Sequence, residues 1–279
     1  MKLFDHFRHS QAQVSSWNLV FKGLRKESIP EDLDLAGARR PAWQAGGDFY
    51  DVCTDNGSRI GLMLADVAGR GLPASLLSSL IQGELRATSW TSHALAHENA
   101  TRRLNDLLCA RSARERYASL IWCYYDASRS ALQYVNAGHL PPIVVSRERQ
   151  ETFLVRRLDQ AGPILGLLPG SVYRQQTARI GPGDLLVMFS DGITEAASAN
   201  GQEFGEHRLL TIICENWNCT SRQICAVVLN SIQSFLGNSA AQDDQTLVVM
   251  RLLPSRSNPT VARIHPIHPP NRRAYATSA

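Results

Sequence analysis

Gly46-Gly47-Asp48-Phe49-Tyr50-Asp51, then Asp55-Asn56-Gly57-Ser58, then Arg59-Ile60-Gly61-Leu62-Met63-Leu64-Ala65-Asp66-Val67-Ala68-Gly69-Arg70-Gly71 read as one hairpin whose open end carries an acidic residue on each strand. Asn-Gly is the strongest short-range hairpin signal, and 59–65 is an apolar return strand. Register decides whether the two acids can meet. A two-residue turn at Asn56-Gly57 pairs residues whose numbers sum to 113, so Asp48 lies opposite Ala65 and the carboxylates of Asp48 and Asp66 point to opposite faces. A three-residue loop or a bulge at Gly46-Gly47 moves the sum to 114 and sets Asp48 against Asp66. A shared site requires the second register, so an odd loop or a bulge is expected.

Two more acidic segments lie far along the chain, Ser190-Asp191-Gly192 and Asp243-Asp244-Gln245-Thr246, each at the edge of an apolar run. Aspartate is disfavoured inside strands, so these positions mark strand ends. Carboxylates gathered within a few ångströms repel and raise one another's pKa unless cations join them. No histidine or cysteine adjoins the four segments, which disfavours zinc and copper, whereas oxygen-only donors suit Mg²⁺ or Mn²⁺. Asp66 is the natural bridging ligand, because the glycines after it allow close backbone approach, and the Val67 carbonyl can complete the shell. Two such cations could share a water, lower its pKa and offset phosphoryl charge.

The intervening sequence places these segments in a layered α+β fold. A strand is expected within 33–45. Pro73 opens a helix expected to bury Leu72, Leu76, Leu77, Leu80, Ile81 and Leu85. A second helix spans about 93–110, then strands 117–125, 131–136, 142–146, 152–158, 172–180 and 185–189. Helices near 204–217 and 221–236 follow, the latter with a Thr220/Gln223 capping box, and a last strand covers 247–253. Helices paired in sequence and strands joined mostly as hairpins favour a sandwich over a doubly wound parallel sheet.

Composition removes several classes. The net charge of +4 comes from residues 254–279, which hold Arg256, Arg263, Arg272 and Arg273 and no acid; the remaining 25 basic and 25 acidic residues balance. A neutral body offers no nucleic-acid face. Six cysteines form no CxxC pair, and those in apolar stretches read as small buried thiols. There is no apolar run of signal-peptide or membrane-spanning length, so a cytoplasmic protein with no membrane partner is expected. An amphipathic stretch, 14–24, reads as a helix that dimerises the chain or receives an upstream activator. The Pro- and Arg-rich tail, 254–279, reads as disordered.

These motifs, with Tyr134-Val135-Asn136-Ala137-Gly138-His139-Leu140-Pro141-Pro142, Pro163-Ile164-Leu165-Gly166, Pro182-Gly183-Asp184 and Ser190-Asp191-Gly192-Ile193-Thr194-Glu195-Ala196, resemble in type and order the metal-dependent protein Ser/Thr phosphatases (PPM family). The likeness is to the branch typified by the stage II sporulation protein E phosphatase domain and the sigma-regulator phosphatases, and it covers about 33–253. It implies a four-layer α-β-β-α sandwich with a two-Mn²⁺/Mg²⁺ site between its sheets. By the same resemblance Asp66 bridges both metals, Val67 lends its carbonyl, Asp191 and Asp243 hold one metal, and Asp48 sits at or beside the ligand positions. Asp51 and Asp244 are candidates for outer support or a third metal. Asp184 reads as a turn aspartate, and His139 as a structural residue ordering the turn before two prolines. Glu195 reads as an acceptor near the metals or a solvated glutamate. Arg39 and Arg40 precede the first motif and could bind phosphate. Ala68 stands where animal-type members carry a histidine, leaving the leaving-group acid unassigned.

The implied activity is hydrolysis of phosphoserine or phosphothreonine on a protein by a metal-activated water, without a covalent phosphoenzyme, the substrate being a small phosphorylated anti-anti-sigma-type regulator. Two other readings stay open: a pseudophosphatase that binds a partner through the same fold, and a small-molecule phosphoesterase. Fold does not choose among them.

Overall fold

Three residues connect the first hairpin. In the computed structural model, which describes residues 29–43, 46–55, 59–88, 96–111, 116–149 and 152–254, β2 (Phe49–Asp55) pairs antiparallel with β3 (Arg59–Val67), Phe49 opposite Ala65 and Asp55 opposite Arg59. Paired numbers sum to 114, the register that a shared site needs. One step beyond Phe49, the same register sets Asp48 against Asp66.

β3 continues the sheet to β4 (Ala118–Asp126), which pairs with β5 (Ala131–Ala137), which pairs with β8 (Gln176–Arg179). The second sheet runs β1 (Leu33–Arg40), β10 (Gln245–Leu252), β9 (Leu185–Phe189), β6 (Ile143–Arg149), β7 (Thr152–Arg157). Every pairing in both sheets is antiparallel. Leu62, Leu64 and Ile121 from one sheet meet Val144, Leu186, Met188 and Val248 from the other in a dry layer. Each such side chain contributes on the order of 2 kcal/mol when fully buried, so this interface fixes how the strand ends of the two sheets face each other.

Helices cover the outer faces. Ile81 and Leu85 of α1 (Gly71–Thr88) and Leu104 and Leu108 of α2 (Ala96–Arg111) pack on Met63, Trp122 and Val135. Beyond the short α3 (Asp191–Thr194), Leu209 and Ile213 of α4 (Gly205–Glu215) and Ile224, Val228 and Ile232 of α5 (Ser221–Leu236) pack on Ile143, Val187 and Leu247. The layering is α-β-β-α, as expected. The capping box at the start of α5 is formed: the Gln223 side chain accepts from the Thr220 amide at 2.9 Å, and the Thr220 hydroxyl accepts from the Gln223 amide.

Two expectations need correction. α1 does not bury its whole leucine set: Leu72, Leu76 and Leu80 are 66%, 62% and 46% exposed. They form one i, i+4, i+8 stripe, while Ala74, Ser78, Ile81 and Leu85 form the buried stripe on the far side. A helix apolar on two sides satisfies the 3.6-residue period twice, so spacing alone cannot choose the face. The strand expected over 172–180 is shortened to Gln176–Arg179, because Tyr173 turns into the core beneath α2, where its hydroxyl donates to Asn105 Oδ1 at 3.1 Å. The 14–24 stretch and the basic tail lie outside the described residues. No helix among the described residues is long and apolar enough to cross a membrane.

Candidate metal centre

The two sheets bring their acidic ends to one place. Asp48 precedes β2 and Asp66 is the penultimate residue of β3; Asp191 follows β9 and Asp243 precedes β10. Asp48 is buried, and the Thr246 hydroxyl at the start of β10 donates to its Oδ2 at 2.6 Å, joining one sheet to the other. Gly47 lies so close to β3 that a Cβ there would come within 2.3 Å of the Val67 carbonyl oxygen, which is why glycine is needed at this crossing. Ser190 clamps the second sheet: its hydroxyl donates to the Asp244 carbonyl at 3.1 Å and accepts from the Thr246 amide at 3.0 Å. The Ser190 hydroxyl therefore holds β9 and β10 in phase beside the site.

The carboxylates sense one another. Burial pushes the Asp48 carboxyl well above the usual range, and Asp66 raises it further, while hydrogen bonds from Thr246 and Ser190 act the other way. Burial, then Asp191 and Asp243, push Asp66 up to about 6, a hydrogen bond with Asp48 partly offsetting this. Asp243 is raised by burial and by Asp191 and Asp244, and opposed by the Asp244 amide, 2.8 Å away, and by Arg70. Glu195, at the end of α3, is raised by partial desolvation together with Asp191, Glu203 and Asp243. Each carboxylate is thus perturbed mainly by desolvation and by other carboxylates, the environment that a bound divalent cation reverses.

The donor set suits hard cations: carboxylates from both sheets and the Val67 carbonyl beside Gly47, with no imidazole or thiol among them. Among the described residues no three acidic, imidazole or thiol groups close into a finished ligand cage. The structure shows electrostatic neighbours drawn from four segments.

The neighbouring aspartates have other partners. Asp244 is buried, and its two oxygens accept from Arg39 Nη2 (3.1 Å), the Ala42 amide (2.9 Å) and the Asp48 amide (3.3 Å). Its carboxylate staples the loop before β2 to β10. Arg39, one of the two arginines that could bind phosphate, is committed to that staple. Asp51 points to the helical side, where Arg86 grips both its oxygens and Gln82 Nε2 donates at 3.1 Å. The Ser78 hydroxyl donates to the Gly47 carbonyl, so α1 is fastened at several points to the strand that carries Asp48. Asp184 accepts from the Gly181 amide at 2.8 Å, a turn aspartate. His139 is structural: its amide donates to Asn136 Oδ1 at 2.8 Å, its ring Nδ1 lies 3.0 Å from the Leu140 carbonyl, and burial drops its pKa to about 4. Sequence reasoning missed Thr246, Ser78, Gln82 and Arg86; only the Thr246 position, two residues after an aspartate pair, carried a usable signal.

Two antiparallel sheets between helix pairs, with carboxylates of both sheets at one end, define the PP2C class of metal-dependent phosphatases. A family model described as Stage II sporulation protein E (SpoIIE) matches residues 56–253. The chain belongs to that family. Phosphoserine phosphatase RsbU of Bacillus subtilis is 31% identical over 236 residues, 83% of this chain and 68% of RsbU. Protein IcfG of Synechocystis is 25% identical over 75% of this chain but only 36% of its own length. Among solved structures, the SiaA PP2C domain of Pseudomonas aeruginosa superposes with TM-score 0.65 at 19% identity, covering 87% of this chain and 90% of that domain. The SpoIIE phosphatase domain of Bacillus subtilis, with a fragment of its regulatory domain, gives 0.64 at 19% identity, covering 79% and 62%. RsbX, solved in complex with magnesium, gives 0.60 at 16% identity, covering 80% of this chain and 97% of RsbX.

Proposed function

We propose that this phosphatase hydrolyses phosphoserine or phosphothreonine on a protein, using two Mn²⁺ or Mg²⁺ ions held between the sheets. The observation that supports this most is the set of Asp48, Asp66, Asp191 and Asp243, two from each sheet. The carboxyls of Asp48, Asp66 and Asp243 are raised by desolvation and by neighbouring carboxylates, Asp191 being one of those acting on Asp66 and Asp243, while the aspartates beside two of them are paired to arginines. Asp66 and the Val67 carbonyl would hold the ions together with Asp191 and Asp243, and Asp48 would sit at or beside the ligand positions. When bound, the ions lower the pKa of a water and offset the phosphoryl charge. The chain's own part is to fix that geometry: Thr246 orients Asp48, Ser190 sets the spacing of β9 and β10, and Asp244 holds the Asp48 amide rather than a metal.

The substrate we favour is a small phosphorylated regulator of the anti-anti-sigma type, a reading supported by the likeness to RsbU and to a solved pair of RsbU and RsbW domains from Mycobacterium tuberculosis. Its partners belong to a sigma-regulating pathway, and an upstream activator or a second copy acts through 14–24. Removing metal with EDTA, then assaying a phosphoprotein and a generic phosphoester with Mn²⁺ restored, tests the chemistry. Equal activity of Asp66→Asn and wild type would sink it. Failure to bind Mn²⁺ at millimolar concentration would favour a pseudophosphatase, and preference for small phosphoesters over every phosphoprotein would favour a small-molecule enzyme.

A further inference from the structure

A cavity of about 410 Å³ opens beside the carboxylates, lined by Trp43, Arg70, Ser239, Ala240, Ala241 and Gln242. Chain connectivity ties it to the centre from both sheets: Arg70 is four residues after Asp66, and Gln242 adjoins Asp243. Arg70 acts electrostatically on Asp243. Its guanidinium lies 5.3 Å from the centroid of the Trp43 ring, and Trp43 is 49% exposed. An indole left half in water next to a catalytic centre is a ready surface for another chain, since aromatic anchors combine large contact area with few rotatable bonds.

Arg70 differs from the other arginines around the centre. Arg39 pairs with Asp244 and Arg86 with Asp51. Arg70 is exposed, held by stacking on Trp43, and no carboxylate among the described residues lies within ion-pair distance of it. Gly69 and Gly71 on either side have φ of 108° and 70°, values that favour glycine and turn the chain sharply before α1. This local geometry displays Arg70 at the rim, near Asp243 but with no carboxylate in ion-pair contact. The rest of the cavity wall is small or neutral.

We propose that this cleft binds the peptide flanking the phosphorylated residue, Trp43 packing against that segment and Arg70 pairing with an acidic side chain in it. The inference rests on the phosphatase reading and names the class of sequence that reading acts on. The phosphoryl group belongs at the aspartates; one step outward, the rim is otherwise acidic through Asp243 and Glu195, so an acidic flank is repelled everywhere except at Arg70. A basic flank meets the reverse arrangement. Selection by one exposed charge is a matter of a few-fold and is screened by salt.

The test compares kcat/KM on three probes: p-nitrophenyl phosphate, a phosphoserine octapeptide with Glu two residues from the phosphoserine, and the same peptide with Lys there. Wild type should favour the Glu peptide by about fivefold at low salt, the scale of one exposed charge pair, and less at 0.5 M salt. Arg70→Gln should abolish the preference and Arg70→Glu should invert it. Trp43→Ala should lose about tenfold more on both peptides than on p-nitrophenyl phosphate, as for an aromatic anchor. An unchanged Glu-to-Lys ratio in Arg70→Glu, or an equal loss on all three probes, would assign Arg70 to tuning Asp243 alone and overturn the proposal. A wild type that hydrolyses none of the three would instead remove the phosphatase reading, and the subsite with it.

Discussion

Two motifs each carry a pair of aspartates, and the fold treats the members of each pair oppositely. In Gly46-Gly47-Asp48-Phe49-Tyr50-Asp51, Asp51 is gripped by Arg86 and Gln82, whereas Asp48 meets the hydroxyls of Thr246 and Ser190 and neighbouring carboxylates but no arginine. In Asp243-Asp244-Gln245-Thr246, Asp244 is paired to Arg39 and two backbone amides, whereas Asp243 faces Asp191. A buried carboxylate with its cation is structure: the charge is matched within the protein and nothing further can bind there. A carboxylate without one is an unmet demand, and buried Asp48, half-buried Asp66 and Asp191 and exposed Asp243 place that demand at a single point. The paired members hold the loops in which the unpaired members sit.

The comparison breaks most visibly at Asp66. Replacing it with Asn should lower kcat on a phosphopeptide at least about 10³-fold, the scale of losing a principal source of charge stabilisation in a reaction. The same change should leave the metal-free protein no less stable, with an equal or higher Tm by calorimetry, because one of the mutually repelling charges is gone. A lower Tm without metal would mean that Asp66 is a structural residue like Asp244.

Arg39→Ala tests the opposite kind of aspartate. It strands a buried carboxylate, so urea unfolding should show a loss of about 3 kcal/mol, larger than the loss for Arg86→Ala, whose exposed guanidinium is better replaced by water. Similar losses at the two positions would mean that exposure of the arginine does not control the effect.

A pH series sharpens the contrast further. Asp66 is held up at about 6 in the fold and returns to about 4 when unfolded. A raised carboxyl favours the folded state fully below the unfolded value, and that contribution is lost as pH rises through about 6. Metal-free wild type should therefore fall behind Asp66→Asn between pH 4 and about pH 6, by on the order of 1–2 kcal/mol, and stay parallel above. A gap that widens instead on acidification would reverse the sign and the account of Asp66. The smallest effect belongs to Thr246→Val, about 1 kcal/mol from loss of the donor to Asp48. It should also move the acid limb of Mn²⁺ binding to higher pH, because metal competes with a proton that Asp48 then holds more tightly.

The sequence showed the positions of the four acids and the arithmetic of the hairpin, because both are local: turn length sets register, and glycine beside aspartate marks a strand end. It did not show which aspartates have arginine partners. Arg39 meets Asp244 across 205 residues and Arg86 meets Asp51 across 35, and no periodicity connects them. The outer leucines of α1 misled for a related reason, since both sides of that helix satisfy the same apolar spacing and only the tertiary partner selects one. Trp43 reads from the sequence as a core side chain, yet it is 49% exposed; its stacking with Arg70 over a cavity beside Asp243 exists only in three dimensions.

Calorimetric titration of metal-free protein with Mn²⁺ at pH 7.5 tests the division between paired and unpaired aspartates most directly. Wild type should bind two ions per chain, Asp244→Asn should keep both with weakened affinity, and Asp66→Asn should lose the pair. Absence of binding by wild type at millimolar Mn²⁺, or an Asp66→Asn isotherm that matches wild type, would contradict the account.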